Sequence, residues 1–245
     1  MGKKKSSNKK NIKRTNRIKN SVKDKNIYII ISKTSTFPSK VIKMWTKEPY
    51  AHTSISLDIE LNEMYSFARR KLHNPFYCGF IREDITTGVF GRDVDTTCRV
   101  ARLKVSTNTY KKIVKMLREF MKHNMDYKYN YLGIVGIMFN KAVEREYNYF
   151  CSQFVYHVLE KTGADTFDKK PGLVRPEDFR KWDKLELVYE GKLKDYRQYL
   201  KDYSITEDSD VEYFNQCMEK KSETDSAEEN SVEEKPVEED TAMAL

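Results

Sequence analysis

Residues 51–58 read A-H-T-S-I-S-L-D and alternate strictly along the chain. One face of this run carries Ala51, Thr53, Ile55 and Leu57. The other face carries His52, Ser54, Ser56 and Asp58. A period of two residues is typical of a β-strand with one buried face. The pattern therefore predicts a strand that places one histidine among small polar side chains.

A short turn joins this strand to a return strand predicted at residues 62–70, N-E-M-Y-S-F-A-R-R. We expect the two strands to pair Asp58 with Asn62. That register places Ser66 on the same face as His52, whereas a slip of one residue would reverse the faces. The small side chains on this face would then leave room for a second element to approach the histidine.

The rest of the central chain mixes short β-branched runs with amphipathic helical runs. Strands are predicted at 27–32, near 78–84, near 98–105 and at 185–190. Helices are predicted from Pro38 to about Thr46, at 107–123, at 149–162 and from Pro176 to Trp182. These elements predict an α+β fold in which an antiparallel sheet packs against the helix that carries Cys151.

Cys151 lies near the start of the helix predicted at 149–162. With Asn148 as the N-cap, its sulfur falls in the first helical turn, where unpaired amides and the helix dipole favour a thiolate. A thiolate is the nucleophile that cleavage of an amide or ester needs. The alternative is that Cys151 is a small core residue, because it shares a face with several large apolar side chains.

His52 is the histidine best placed to act with this cysteine. A neutral imidazole can take the thiol proton and return it to a leaving group. An exposed histidine on a half-solvated sheet is the alternative. Ser66 is the best geometric choice to orient the ring, because it shares the His52 face. Glu63 is the better chemical choice, but the predicted register places it on the opposite face.

The two ends of the chain carry opposite charge. Residues 1–26 hold 11 Lys and Arg against one Asp, a net charge of +10, and residues 219–245 hold 10 Asp and Glu against 3 Lys, a net charge of −7. Neither end has enough large apolar residues to offset the entropy of ordering. We therefore predict a basic arm at 1–26, a folded domain at 27–205 and an acidic tail at 206–245, both ends disordered.

Composition argues against several other classes of protein. The four cysteines form no C-x-x-C pair, so a zinc ribbon is not indicated, and we expect no metal or other cofactor. No apolar run of 18 residues occurs, and the basic start lacks the apolar segment of a signal peptide, so we expect a cytoplasmic protein without a membrane span. The Lys-rich arm could bind phosphates, but it lacks interleaved aromatic residues, which argues against nucleic acid as a partner.

Three segments together resemble a known family. H-T-S-I-S-L-D at 52–58, N-E-M-Y-S-F-A-R-R at 62–70 and F-C-S-Q-F-V at 150–155 resemble the permuted papain-like amidases of the NlpC-type superfamily, in the YaeF/YiiX group, relatives of lecithin retinol acyltransferase. The resemblance covers roughly residues 27–196. In that family the catalytic histidine precedes the cysteine, which opens a later helix.

The resemblance implies roles for individual residues. It implies His52 as the base, Cys151 as the nucleophile, and an oxyanion hole formed by the Cys151 amide with Tyr129 as a candidate second donor. This chain departs from the family at Gln153, where Glu is expected, and at the third catalytic position, which is not a clear His or Glu.

Two functions from different classes follow from these features. The first is a bacterial thiol hydrolase, either an amidase or peptidase or an acyltransferase, that acts on a small peptide, a cell-wall fragment or a lipid. The second is a catalytically inactive papain-like binding module with charged recruiting arms. Neither the bond cleaved nor the oligomeric state follows from the sequence.

Overall fold

The structure is a computed structural model that describes residues 24–33, 50–71 and 74–207. The helix predicted from Pro38 lies outside the described residues. Almost all of the predicted basic arm and acidic tail also lies outside them.

A six-stranded antiparallel sheet forms the centre of the fold, with strand order β4-β3-β2-β1-β5-β8. Its strands are β1 (Lys25–Lys33), β2 (His52–Ser56), β3 (Met64–Lys71), β4 (Asn74–Glu83), β5 (Thr97–Val105) and β8 (Glu186–Lys192). Two short strands, β6 (Lys128–Tyr129) and β7 (Asn148–Tyr149), form a separate parallel pair. The α+β class and the antiparallel sheet are confirmed.

Six helices connect or flank these strands in the described residues. They are α1 (Gly88–Arg92), α2 (Thr107–Lys122), α3 (Tyr131–Met138), α4 (Cys151–Thr162), α5 (Pro176–Arg180) and α6 (Tyr196–Asp202). Single 3-10 turns lie at Pro171–Leu173 and Leu193–Asp195. The predicted helices at 107–123, 149–162 and 176–182 are present within two residues of their expected ends.

The ends of α4 differ in how well the sequence predicted them. The C-terminal stop is Gly163, whose φ of 74° is the left-handed conformation that glycine adopts without strain. The predicted N-cap, Asn148, is wrong, because Asn148 lies in β7 and Phe150 takes the cap position. The Gln153 side-chain oxygen instead accepts the Phe150 amide at 3.4 Å, so the helix starts at Cys151.

Each face of the sheet packs against its own set of helices. On one face, α2 and α4 bury an aromatic and aliphatic core with Ile55 and Phe67 at its centre. On the other face, α1 and α6 cover a smaller core that includes Tyr28 and Val100. Both faces of the central strands are therefore buried, which explains why β1 is a nearly continuous apolar run.

The hairpin of β2 and β3 has the register expected from the sequence. Ile55 pairs with Tyr65 and Ser56 with Met64, which is the alignment that places Asp58 opposite Asn62. These are the two pairs formed between the described residues of β2 and β3. His52, at the start of β2, therefore lies beyond the paired part of the hairpin.

Candidate active site

Glu83 anchors the His52 ring. The His52 Nε2 and Glu83 Oε1 atoms are 2.9 Å apart, and both side chains are more than nine-tenths buried. Ser54 donates its hydroxyl proton to Glu83 Oε2 at 2.5 Å and lies 3.3 Å from His52 Nε2. The carboxylate thus fixes one ring nitrogen, which leaves Nδ1 as the nitrogen available for proton exchange.

The register of three strands brings this pair together. Met64 of β3 pairs with Ser56 of β2 on one side and with Glu83 of β4 on the other. Because side chains on paired residues point to the same face, Glu83 shares the face of Ser56, Ser54 and His52. Glu83 reaches His52 across β3, where the intervening side chain is the small Ser66.

Charge stabilisation within the pair outweighs the cost of burial. Burial lowers the pKa of His52, but the Glu83 charge and the hydrogen bonds to Cys151 and Glu83 raise that pKa to about 10. Burial likewise raises the pKa of Glu83, but the His52 charge and the Ser54 hydroxyl hold it below its ordinary value. At neutral pH the pair is therefore an imidazolium and a carboxylate.

Cys151 is the first residue of α4 and interacts with the His52 ring. Its amide has no acceptor within the helix, because the first turn of a helix leaves its N–H groups unpaired. Cys151 as a whole residue is 2% exposed and His52 is 7% exposed. The Cys151 thiol, the His52 imidazolium and the Cys151 backbone N–H therefore meet at one helix start.

The approach of α4 to His52 differs from the sequence expectation. The sequence suggested that a helix start would approach across the polar face of β2. Instead α4 packs on the opposite, apolar face, where Phe154 and Val155 contact the core around Ile55. The contact with His52 is made at the start of β2, beyond its last pair with β3. Because β2 and β3 are not paired at this end of the hairpin, Cys151 on α4 can reach the His52 ring although the two residues belong to opposite faces of the sheet.

Tyr129 lies beside Cys151, as the oxyanion prediction requires. The pairing of Tyr129 with Tyr149 in the β6–β7 ladder places it next to the start of α4. Burial, followed by the neighbouring sulfurs of Cys151 and Cys78, raises the pKa of Tyr129 well above 10. Its hydroxyl stays protonated at every pH of interest and can act as a hydrogen-bond donor.

Asn130 and Gln153 hold the segments that carry Tyr129 and Cys151. The buried Asn130 side chain donates to the Val143 carbonyl at 2.8 Å and to Gln153 Oε1 at 3.3 Å, and it accepts the Gly133 amide at 2.9 Å. Gln153 therefore acts through its amide oxygen, which receives two N–H groups. A neutral amide suffices for this role, which accounts for glutamine where the family resemblance implies glutamate.

The third residue of the site is not the one the sequence suggested. Ser66 was expected to orient His52, but its buried hydroxyl interacts with the Glu83 carboxylate rather than with the ring. It lies near Glu83 and helps to lower the pKa of that carboxyl. Glu63, the chemical alternative, accepts the Tyr65 hydroxyl and pairs with Arg82 at 3.2 Å. Glu83 takes the position beside His52.

A weak sequence signal for Glu83 existed. The strand near 78–84 reads C-G-F-I-R-E-D, so Glu83 is one of three consecutive charged residues at its end. Its partner could not be inferred, because the register between β3 and β4 shifts between Arg69 and Lys71. The sequence therefore offered a carboxylate at this position without indicating that it would reach His52.

The other described cysteines and histidines have different surroundings. Cys98 lies in the core on the far face, and burial raises its pKa to about 12. Burial also raises the pKa of Cys78, which hydrogen-bonds to Tyr131. Burial lowers the pKa of His157 to about 4, so this histidine stays neutral. None of these groups combines a helix start with an imidazolium.

Two comparisons with known proteins gave no match. No protein-family model matches the sequence, and no curated protein matches it.

Within the described ranges, no group of three or more His, Cys, Asp or Glu residues could hold a metal ion. None of the described helices is both long enough and apolar enough to cross a membrane. The geometry of the site therefore carries the functional argument.

Proposed function

We propose that this chain is a thiol hydrolase with a permuted papain-like fold, in which Cys151 attacks an amide or ester carbonyl and His52 exchanges the proton. The observation that carries the proposal is the buried Glu83–His52 pair at the first residue of α4. A buried imidazolium held by a carboxylate is the group that makes a cysteine reactive at neutral pH.

In the first step the Cys151 thiolate adds to the substrate carbonyl. The carbon–sulfur bond forms as the C=O electron pair moves onto oxygen. Collapse of this intermediate breaks the bond to the leaving amine or alcohol, which takes a proton from His52. The product is a thioester on Cys151 with a neutral His52 beside it, and Glu83 keeps the ring in position throughout.

In the second step a water molecule, or another acceptor with a hydroxyl or amine, gives its proton to His52 and attacks the thioester. The acid or the transferred acyl product leaves, and Cys151 departs as a thiolate beside the restored imidazolium. The same residues can therefore support either hydrolysis or acyl transfer. The substrates would be amides or esters, and small peptides, cell-wall fragments and lipids all contain such bonds.

Two donors are available for the negative oxygen of the intermediate. The Cys151 amide is unpaired within α4, and the Tyr129 hydroxyl remains protonated because burial raises its pKa. Donors of this kind act most strongly where charge develops in a buried site. Tyr129 is therefore assigned as an oxyanion donor and Glu83 as the residue that positions His52.

The test is selective alkylation of the folded full-length chain. Iodoacetamide at pH 6, followed by peptide mapping, should modify Cys151 ahead of Cys78, Cys98 and Cys217, and His52→Ala should remove that preference. Cys78 is the matched control, because it is also buried and also near the site, but its hydrogen-bond partner is Tyr131. Equal reactivity of Cys151 and Cys78 in the wild-type chain would overturn the proposal.

One observation favours the catalytically inactive binding module. Cys151 is 2% exposed, so a carbonyl group can reach the sulfur only if neighbouring atoms move. Under this alternative Cys151 is a core residue, and its replacement by Ser would leave any partner binding unchanged. Alkylation of Cys151 under native conditions excludes this alternative, since a permanently closed site would not react.

A further inference from the structure

Helix α3 carries no charged side chain. The segment from Tyr129 to Asn140, which contains α3, reads Y-N-Y-L-G-I-V-G-I-M-F-N, whereas a third of the whole chain is charged. Exposed lysines bracket the segment at positions 128 and 141. An uncharged run of this length in so polar a chain would ordinarily be buried on all sides.

The glycine side of α3 holds the helix in one orientation. A Cβ on Gly133 would lie 3.0 Å from the Phe150 ring, and a Cβ on Gly136 would lie 2.8 Å from the Val143 side chain. Such distances mean that the protein backbone and side chains close directly onto this side. The helix therefore cannot roll to bury its opposite side without losing these contacts.

The opposite side of α3 presents large apolar residues to solvent. Leu132, Val135 and Phe139 follow one another at helical spacing and are between 48% and 70% exposed. Phe76, at 66% exposed, adjoins the start of the helix, where the Tyr131 hydroxyl donates to the Phe76 carbonyl at 3.0 Å. Together these four residues form the α3 apolar face. A cluster of this kind marks an interaction surface.

We propose that the α3 apolar face docks onto the surface of an anionic phospholipid bilayer. Lysines at both ends of an apolar helix face suit this partner, because their stems lie along apolar surface while their charges reach lipid phosphates. Lys128 and Lys141 occupy these positions. The basic arm at 1–26 adds further attraction to the same surface.

The charged residues that flank the α3 apolar face balance in number, with Asp126, Glu144 and Glu146 against Lys128, Lys141 and Arg145. The attraction to an anionic surface therefore comes mainly from the basic arm and from the net charge of the chain. The whole chain has a net charge of +8, which disfavours contact with a second copy through the same face and favours an anionic partner. Docking would bring the start of α3, two residues after Tyr129, to the bilayer surface.

The experiment measures binding of the full-length chain to vesicles of equal parts phosphatidylcholine and phosphatidylglycerol. Leu132→Ser and Phe139→Ser should each weaken binding roughly tenfold, since each removes one apolar side chain from the contact. Val94→Ser is the matched control, because Val94 is 55% exposed but lies in the loop before β5, and its binding should equal that of the wild type.

A second measurement reports insertion directly. Val135→Trp should show a blue shift of its fluorescence on addition of these vesicles, whereas Val94→Trp should not. Equal binding by the wild type and both serine variants would overturn the proposal and assign binding to the basic arm alone. Absence of vesicle binding would also overturn it, and a dimer that Phe139→Ser dissociates would assign the face to a second copy. The Cys151→Ala variant should bind like the wild type, so this result is independent of the proposed chemistry.

Discussion

Replacement of Glu83 by Gln separates the charge of this side chain from its shape. Glutamine can still accept a hydrogen bond from the His52 ring N–H through its side-chain oxygen and can still contact Ser54, so the hydrogen-bond geometry of the pair is preserved. Only the negative charge is lost. The expected consequence is that His52 becomes neutral, because burial, which lowers its pKa, is no longer opposed by Glu83.

The size of the effect follows from the pKa of His52. With a pKa of about 10, the imidazolium predominates roughly 300-fold over the neutral ring at pH 7.5. Loss of the Glu83 charge removes the largest of the causes that raise this pKa, and each pKa unit lost lowers the ratio of imidazolium to neutral ring about tenfold. The population of the Cys151 thiolate–imidazolium pair should therefore fall at least about tenfold.

The assay is the rate of iodoacetamide alkylation of Cys151 from pH 5 to pH 9, followed by peptide mapping. The wild-type chain should show a raised rate that extends below pH 7, and Glu83→Gln should lose this part of the profile. Glu186→Gln is the matched control, because Glu186 pairs with the buried Arg102 at 2.6 Å in another part of the sheet. It should lower stability while leaving the alkylation profile unchanged.

Two outcomes would refute this reasoning. If Glu83→Gln keeps the wild-type alkylation profile, the carboxylate does not set the charge of His52. If Glu186→Gln changes the profile as much as Glu83→Gln, the effect is one of general destabilisation. Circular dichroism at the assay temperature verifies that both variants are folded.

Three further predictions follow from the geometry. Tyr129→Phe should lower turnover of any substrate by roughly 10²–10³-fold, as expected for an oxyanion donor, and should lower the Cys151 alkylation rate much less, because alkylation forms no oxyanion; a matched loss of both would contradict the role. Gly133→Ala should lower the free energy of unfolding by about 1–3 kcal/mol in urea titration, since its Cβ would overlap the Asn130 side chain; an unchanged midpoint would show that the segment can shift. The His52–Glu83 ion pair should contribute its full stabilisation of the fold below about pH 6.5 and lose it as pH rises towards 10. The difference in Tm between the wild type and Glu83→Gln should therefore narrow over that range, and a constant difference would argue against the ion pair.

The sequence predicted those parts of the protein that depend on local patterns. Strict alternation identified β2, and the predicted pairing of Asp58 with Asn62 matches the register of the hairpin. Helical spacing and a terminal glycine identified α4 and its end at Gly163. These features follow from periodicity and backbone preference, which act over a few residues.

The tertiary structure decided how the site is completed. Glu83 becomes the partner of His52 because β3 aligns β4 with β2, and that register depends on a shift between Arg69 and Lys71 that no local pattern reveals. The sequence instead indicated Ser66, which was the best choice within a single hairpin.

Local sequence identified the strand that carries His52 and the helix that carries Cys151, because each depends on the periodicity of its own residues. The contact between those two residues was decided by the unpaired end of the β2–β3 hairpin, which joins groups from opposite faces of the sheet. The exposure of the α3 apolar face was decided in the same way, since close packing on Gly133 and Gly136 fixes which side of an all-apolar helix meets solvent. Both outcomes depend on contacts between distant segments, and the energies of such contacts are not encoded in any short stretch of sequence.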